Sequence, residues 1–385
     1  MQFFDRRPAL LAIALACAVV LNLWCLAHNF TPGALLTLSA GCLLAAQWLD
    51  PGRQPLSAAQ PDRTRAPIGA PTVFTAAAAA LSDRAAQVHD ICNAFTIDLE
   101  DYFHTEVSSK SVSYEQWDDL PLRIDASVMR LLDLLDKHQT RATVFTLGWV
   151  ARKRPYLIRE VARRGHEIAC HSYRHRPVFN LTPDEFRADT ELAKDILENV
   201  TGAAVVGYRA PNFSITPGTE WAWEVLSDLG FLYDSSVNPV WHKMYANPKA
   251  PRFPYLIPET NLFEVPVATW RVCGVNLPIG GGAYLRLLPL PYMRAGLAYV
   301  NAIERRPVTL YMHPWEIDHY QPEFATDWKS HIRQTWGVDG MEDKLVSLLR
   351  ASRFSTILDV HSQHLPSAAA ISALRMEPEP LARVS

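Results

Sequence analysis

Between residues 91 and 364 the chain alternates short apolar runs with amphipathic stretches, and most of the runs end in a polar residue. A-F-T-I-D (94–98), A-T-V-F-T-L (142–147), E-I-A-C-H (167–171) and V-V-G-Y-R (205–209) read as strands, followed by F-L-Y-D (231–234), F-E-V-P-V-A (263–268), V-T-L-Y-M-H (308–313) and S-T-I-L-D (355–359). Their Val and Ile content predicts strands covered on both faces. Val128, Leu131, Leu132 and Leu135 recur at helical spacing and predict a helix over 125–138. A second helix is expected around Leu157, Ile158 and Val161, stopping near Gly165. T-P-D-E (182–185) is a capping box with Pro at the first helical position, and the helix it opens carries Phe186, Leu192, Ile196 and Val200 before Gly202. Further helices are expected near 219–229, 287–304 and 340–351. Repeated β-α units imply parallel pairing, and seven or eight of them imply an α/β barrel, closed or nearly so.

The ends of the chain follow another pattern. Pro8 to Ala27 is a charge-free run of 20 residues, preceded by Arg6 and Arg7. As a helix it spans about 30 Å of hydrocarbon. A second, weakly polar stretch, Phe30 to Leu49, follows almost at once, which favours a retained membrane anchor over a cleaved leader. Basic residues flank the two stretches and none lies between them, the charge pattern of a hairpin with both ends in the cytoplasm; a single span would instead put the body on the other side. Residues 51–90 read as a Pro/Ala-rich linker and 365–385 as a disordered tail. The expected division is a membrane anchor over 1–50 with one or two spans, the linker, a catalytic domain over 91–364, and the tail.

Composition narrows the function. With 37 Lys and Arg against 40 Asp and Glu, the net charge of −3 excludes nucleic-acid binding by bulk charge. Six scattered cysteines without a C-x-x-C exclude a disulfide scaffold and a cysteine zinc site.

The candidate chemistry collects at strand C-terminal ends, where parallel α/β folds place their active sites. Asp98, Glu100 and Asp101 close the first strand, His171 and His175 follow the third, and Arg209, Asp234 and His313 end later ones. Two histidines at i and i+4 on a helical turn can reach one cation, and a carboxylate completes a set of two imidazoles and one acid. Alternation in I-D-L-E-D puts Asp98 and Glu100 on one face if the strand persists. Two carboxylates buried together call for a cation. Arg209 beside them can hold a base ionised, and His313 is suited to general acid work near neutral pH. Trp221 and Trp223 fit helix packing, whereas Trp241, Trp270 and Trp315 lie in loops where a sugar ring could stack. The glycine run 280–282 lacks the context of a phosphate cradle and reads as a loop.

The series T-I-D-L-E-D, H-S-Y-R-H, R-A-P-N-F, Y-D-S-S and L-Y-M-H resembles the NodB-homology polysaccharide deacetylases, carbohydrate esterase family 4, over residues 91–364 and in the family's motif order. F-T-I-D-L-E-D-Y-F-H, G-G-A-Y-L-R-L-L-P and H-P-W-E-I-D look closest to the deacetylases of exosortase- and PEP-CTERM-linked exopolysaccharide clusters. The resemblance implies a distorted (β/α)7 barrel with one divalent metal, usually zinc. Asp98 then matches the catalytic base, His171 and His175 the metal ligands, Arg209 the residue that positions the base, and His313 the general acid. Leu99 stands where the common T-F-D-D-G pattern has its metal-binding Asp; the resemblance to family members with an acid-x-acid arrangement implies Glu100 as the third ligand, or Asp101 if the strand bulges. Asp234 sits near the fourth motif, whose residue tunes the acid, but the usual Trp-containing pattern is absent.

The implied activity is metal-dependent N-deacetylation of hexosamine residues in a bacterial exopolysaccharide or its precursor, at the inner membrane and beside other exopolysaccharide synthesis proteins. Two other readings stand beside it: a hydrolase of small cyclic amides of the allantoinase-like kind, and a non-catalytic glycan-binding subunit of a synthesis complex. An oxyanion donor is expected from the backbone between Tyr208 and Phe213.

Overall fold

A computed structural model describes residues 91–242, 247–324 and 328–365. The expected anchor, the linker through Asp90 and the tail from residue 366 lie outside the described residues; among those described, no helix is long and apolar enough to cross a membrane. Most of the described residues, those between 91 and 287 and between 296 and 365, fall in one compact unit.

The strands are β1 (Cys92–Leu99), β2 (Thr143–Thr146), β3 (Glu167–Cys170), β4 (Gly207–Tyr208), β5 (Tyr233–Asp234), β6 (Tyr255–Leu256), β7 (Phe263–Glu264), β8 (Thr269–Val272), β9 (Val275–Pro278), β10 (Thr309–Met312) and β11 (Arg353–Ser355). The main sheet runs β10-β1-β2-β3-β4-β5-β7-β6, with β11 also on β1. Every ladder in it is parallel except β6 on β7. The ladders leave the barrel open between β7 and β10, and single hydrogen bonds span the gap. Ala268 N–H donates to Thr309 C=O (3.0 Å) and Tyr311 N–H to Gly280 C=O (2.7 Å). The result is a distorted half-barrel.

Gly281 is the tightest point of that closure. Its φ is 135°, and a Cβ there would lie 1.7 Å from Tyr311 C=O. Only glycine lets the loop meet β10 so closely.

The helices follow the pattern. α1 (Ile124–Lys137) buries Ile124, Val128, Leu131, Leu132 and Leu135; α2 (Gly148–Lys153) and α3 (Pro155–Arg163) follow β2. In α4 (Pro183–Thr201), Glu185 N–H donates to Thr182 Oγ1 and Gly202 ends the helix at φ 66°. Before β5, α5 (Trp221–Asp228) sets Trp221 against Phe186. One buried hydrophobic cluster includes Phe145, Ala169, Val206, Tyr233 and Ile357.

Several expected elements differ. The strand at 263–268 shrinks to β7, and a hairpin, β8–β9, follows over a turn in which Cys273 and Gly274 both have positive φ. The helix at 287–304 divides into Ala283–Leu287, Leu290–Tyr299 and a π-helical turn, Val300–Glu304. S-T-I-L-D is not a strand: β11 ends at Ser355, and Asp359 N–H donates to Thr356 Oγ1 (3.1 Å), capping the short helix Ile357–Val360. Leu365, expected in the tail, is buried in the core.

Candidate active site

The C-terminal ends of β1, β3, β4 and β10 converge on one polar cluster. β1 stops at Leu99, and Glu100 N–H turns back onto Asp98 C=O (3.1 Å). The strand does not persist through Glu100, yet both acids reach the same point: His313 Nε2 lies 3.2 Å from Glu100 Oε1 and 3.9 Å from Asp98 Oδ2. H-S-Y-R-H is a loop rather than the expected helical turn, with Ser172 and His175 in the left-handed region at φ 64° and 52°. His175 N–H donates to Ser172 Oγ (3.1 Å), and Gly148 N–H holds Ser172 C=O (2.8 Å). The fold brings the two rings to a centroid distance of 5.3 Å.

Glu100, His171 and His175 each turn one donor atom inward, all within 4.8 Å of one another. His171 Nδ1 lies 2.7 Å from Arg209 C=O, which can only accept, so Nδ1 carries the proton and Nε2 keeps its lone pair. Burial pushes the His171 imidazole down to about 4, which keeps it neutral as a ligand must be. Glu100 Oε2 is buried without a hydrogen bond, although His175 Nε2 stands 2.9 Å away. Burial opposes its charge, but His175, His313 and His171 hold the carboxyl well below the usual carboxylate range. An orphaned carboxylate oxygen facing imidazole lone pairs is a set that a divalent cation fits.

Beside this triad, Asp98 is 2% exposed and Arg209 is fully buried. Arg209 Nη1 donates to Asp98 Oδ1 (2.7 Å) and Thr96 Oγ1 (2.8 Å), Nη2 to Ser235 Oγ (2.8 Å), and Nε to Ser235 C=O (3.1 Å). The guanidinium also lies 4.1 Å over the Phe145 ring. Every donor nitrogen of the fork bonds within the protein, which aims Asp98 Oδ2 at the cluster. His313 occupies the other side. Burial works against its charge, but Glu316, Glu100 and Asp98 outweigh it and raise the imidazole to about 9.

Two expected site residues stand elsewhere. Asp101 Oδ2 accepts from Arg123 N–H (2.8 Å) and Ile124 N–H (3.0 Å) at the start of α1, and Oδ1 from Tyr102 N–H (2.9 Å). Both oxygens are thereby spent on backbone N–H groups, and of the two acids only Glu100 faces His171 and His175. Asp234 accepts from Trp223 Nε1–H (2.8 Å) and Ser236 Oγ–H, and it faces Glu264 across the β5–β7 ladder. Burial raises both carboxyls, and the pair is held by these bonds rather than by His313.

The residue beside His313 is instead Glu316, whose Oε2 lies 3.5 Å from Nδ1. Sequence reading missed it because H-P-W-E also spells an ordinary helix cap. Trp315 is not a free sugar platform: one face stacks on His313 and the Arg286 guanidinium lies 5.1 Å from the same ring. Of the expected oxyanion stretch, the Arg209, Ala210 and Phe213 N–H groups are already bonded within the protein.

Comparison with known proteins bears on the same residues. A family model described as polysaccharide deacetylase matches residues 106–233, and one described as a domain of unknown function (DUF3473) matches 235–362. The peptidoglycan-N-acetylglucosamine deacetylase of Bacillus cereus is 33% identical over 96 residues, covering 25% of this chain and 35% of that protein. The peptidoglycan deacetylase of Helicobacter pylori is 27% identical over 113 residues, 29% of this chain and 38% of that one. Among solved structures, peptidoglycan deacetylase PdaC from Bacillus subtilis aligns over 75% of this chain and 94% of its own, at 14% identity and a TM-score of 0.36. The chain spans about a third of the length of these two curated relatives. His171, His175 and Arg209 fall in the first matched segment and His313 in the second, while Asp98 and Glu100 precede both. A polysaccharide deacetylase domain thus occupies residues 106–233, continued by a DUF3473 segment over 235–362.

Proposed function

We propose that this chain is a metal-dependent N-deacetylase that removes acetyl groups from hexosamine residues of a bacterial exopolysaccharide or its precursor. The observation that carries the reading is the orphaned Glu100 Oε2, set between His171 and His175 and next to the Asp98–Arg209 pair and His313. Residues 1–50 support attachment to the inner membrane, where the glycan and its synthesis proteins would be met.

An acetamide is a poor electrophile. A divalent cation, zinc in our reading, held by Glu100, His171 and His175 would polarise the acetyl carbonyl and acidify the attacking water. Asp98 Oδ2 takes the water's proton as the O–C bond forms, and Arg209 on Oδ1 keeps the carboxylate ionised and aimed. His313 delivers its Nε2 proton to the nitrogen as the C–N bond breaks, so an amine rather than an amide anion departs. The products are acetate and the free amino sugar.

The test is acetate release by the full-length protein from N-acetylated hexosamine oligomers and from peptidoglycan, and turnover of allantoin, with metal measured on the same sample. Chelator-sensitive release from the oligomers, abolished in Asp98→Asn, is expected. Release from peptidoglycan alone would move the substrate to the cell wall. Turnover of allantoin alone, or no bound metal with no release, would overturn the reading.

A further inference from the structure

The imidazole that delivers the proton stands in a frame that none of the steps above uses. His313 opens a 3-10 turn, Pro314–Ile317, and Glu316 reaches back along it. Glu316 Oε2 accepts from His313 N–H (3.0 Å) and lies 3.5 Å from His313 Nδ1, which is buried with no hydrogen bond of its own. Its other oxygen accepts from Arg286 Nε–H (2.9 Å). Arg286 also donates through Nη1 to Trp336 C=O (2.8 Å) and through Nη2 to Arg333 C=O (2.6 Å). Glu316 is fully buried and Arg286 is 1% exposed. Trp315 stacks on the His313 ring at 5.2 Å and 23°, closing the other side.

A helix cap with a buried ion pair would account for part of this. Stability alone is a weak reason for it, because a fully buried pair gains little over apolar residues of the same volume. The arrangement also divides the two ring nitrogens: Nε2 faces Asp98 and Glu100, while Nδ1 faces Glu316. Once Nε2 gives up its proton, the neutral ring must keep the other on Nδ1. A carboxylate on that side favours that tautomer and fixes the ring plane.

We propose that Glu316, held by Arg286, is a positioning residue that fixes the His313 ring with Nδ1 turned toward its carboxylate, so that Nε2 faces the leaving nitrogen; the proposal rests on the deacetylase reading. His313, Trp315, Glu316 and Arg286 all lie within 235–362. The segment matched only as a domain of unknown function thereby completes the site with its acid and the support for that acid.

The experiment compares wild type, Glu316→Gln and the doubly neutral Arg286→Gln/Glu316→Gln, all full-length and metal-loaded. Each is tested on a chitin-type N-acetylglucosamine oligomer and on 4-nitrophenyl acetate, whose leaving group needs no proton. Expected in both variants is a kcat on the oligomer lower by about 100-fold, ester hydrolysis within about threefold and unchanged metal content. Two-bond 1H–15N spectra of histidine-labelled protein, recorded on the basic side of the His313 transition, should also show its neutral ring leaving the Nδ1–H form. Parallel loss on both substrates, or no loss on the oligomer, overturns the proposal. If Glu316→Gln does not fold, the double variant decides, since it leaves no unpaired charge. Should wild type cleave only the ester, the deacetylase reading fails, and the spectra alone decide: His313 held as Nδ1–H without Glu316 overturns the positioning role.

Discussion

His171 is a buried and His313 a half-buried imidazole near Glu100, yet they are expected to fail differently. His171→Ala should lose the metal, seen as a stoichiometry far below one in elemental analysis. His313→Ala should keep the metal and lose about 100-fold or more in kcat. Equal loss of metal in both would remove the distinction between ligand and acid. The pH profile carries a sign. His313, raised to about 9, is protonated at neutral pH, so its contribution as an acid is present below that value and lost as pH rises through it. A basic limb of kcat near about 6.5 instead would show an unperturbed imidazole. That Asp98, His171, Arg209 and His313 would meet was legible because polar residues at the ends of buried strands have few other uses, and His175 was singled out by its spacing from His171. The choice between Glu100 and Asp101 was not legible. It turns on where β1 stops and on the N–H groups of Arg123 and Ile124, which lie 22 and 23 residues downstream of Asp101.

Long periodic segments were the easiest elements to read. α1 and α4 declare themselves by spacing and by the Thr182 capping box, whose side-chain and backbone bonds both form. The short pieces were not, because a strand of two residues such as β4 or β7 has no periodicity to detect. Thr356 caps a helix where β-branched residues suggested a strand, and Cys273-Gly274 makes a hairpin turn without the usual Asn or Asp. Gly280 to Gly282 was readable as a loop, but its contact with β10 was not. Gly281→Ala places a methyl group against Tyr311 C=O and strains a positive φ. Because Tyr311 is two residues from His313, the variant should lower both the melting temperature and kcat, with stability down by at least about 1–3 kcal/mol. A variant with wild-type melting and reduced kcat would show that the contact serves only the site.

At the scale of the molecule, neither matched segment contains the site alone. β1 precedes both, and its partners β10 and β11 come from the second. A chain ending before residue 308 should therefore lack cooperative unfolding and be digested rapidly by protease, even though it keeps Asp98, Glu100, His171, His175 and Arg209. A protease-resistant fragment of that length would contradict the ladder order. The same order has a consequence for synthesis. Asn93 and the Val308 it bonds are 215 residues apart. At ribosomal rates of about 5–20 residues per second, the first strand leaves the exit tunnel roughly 10–40 s before its neighbour exists. Throughout that interval one edge of β1 is unpaired and the nascent domain cannot lock. The chain is then at its most exposed to chaperones, and whatever machinery needs it unfolded has that time in which to act.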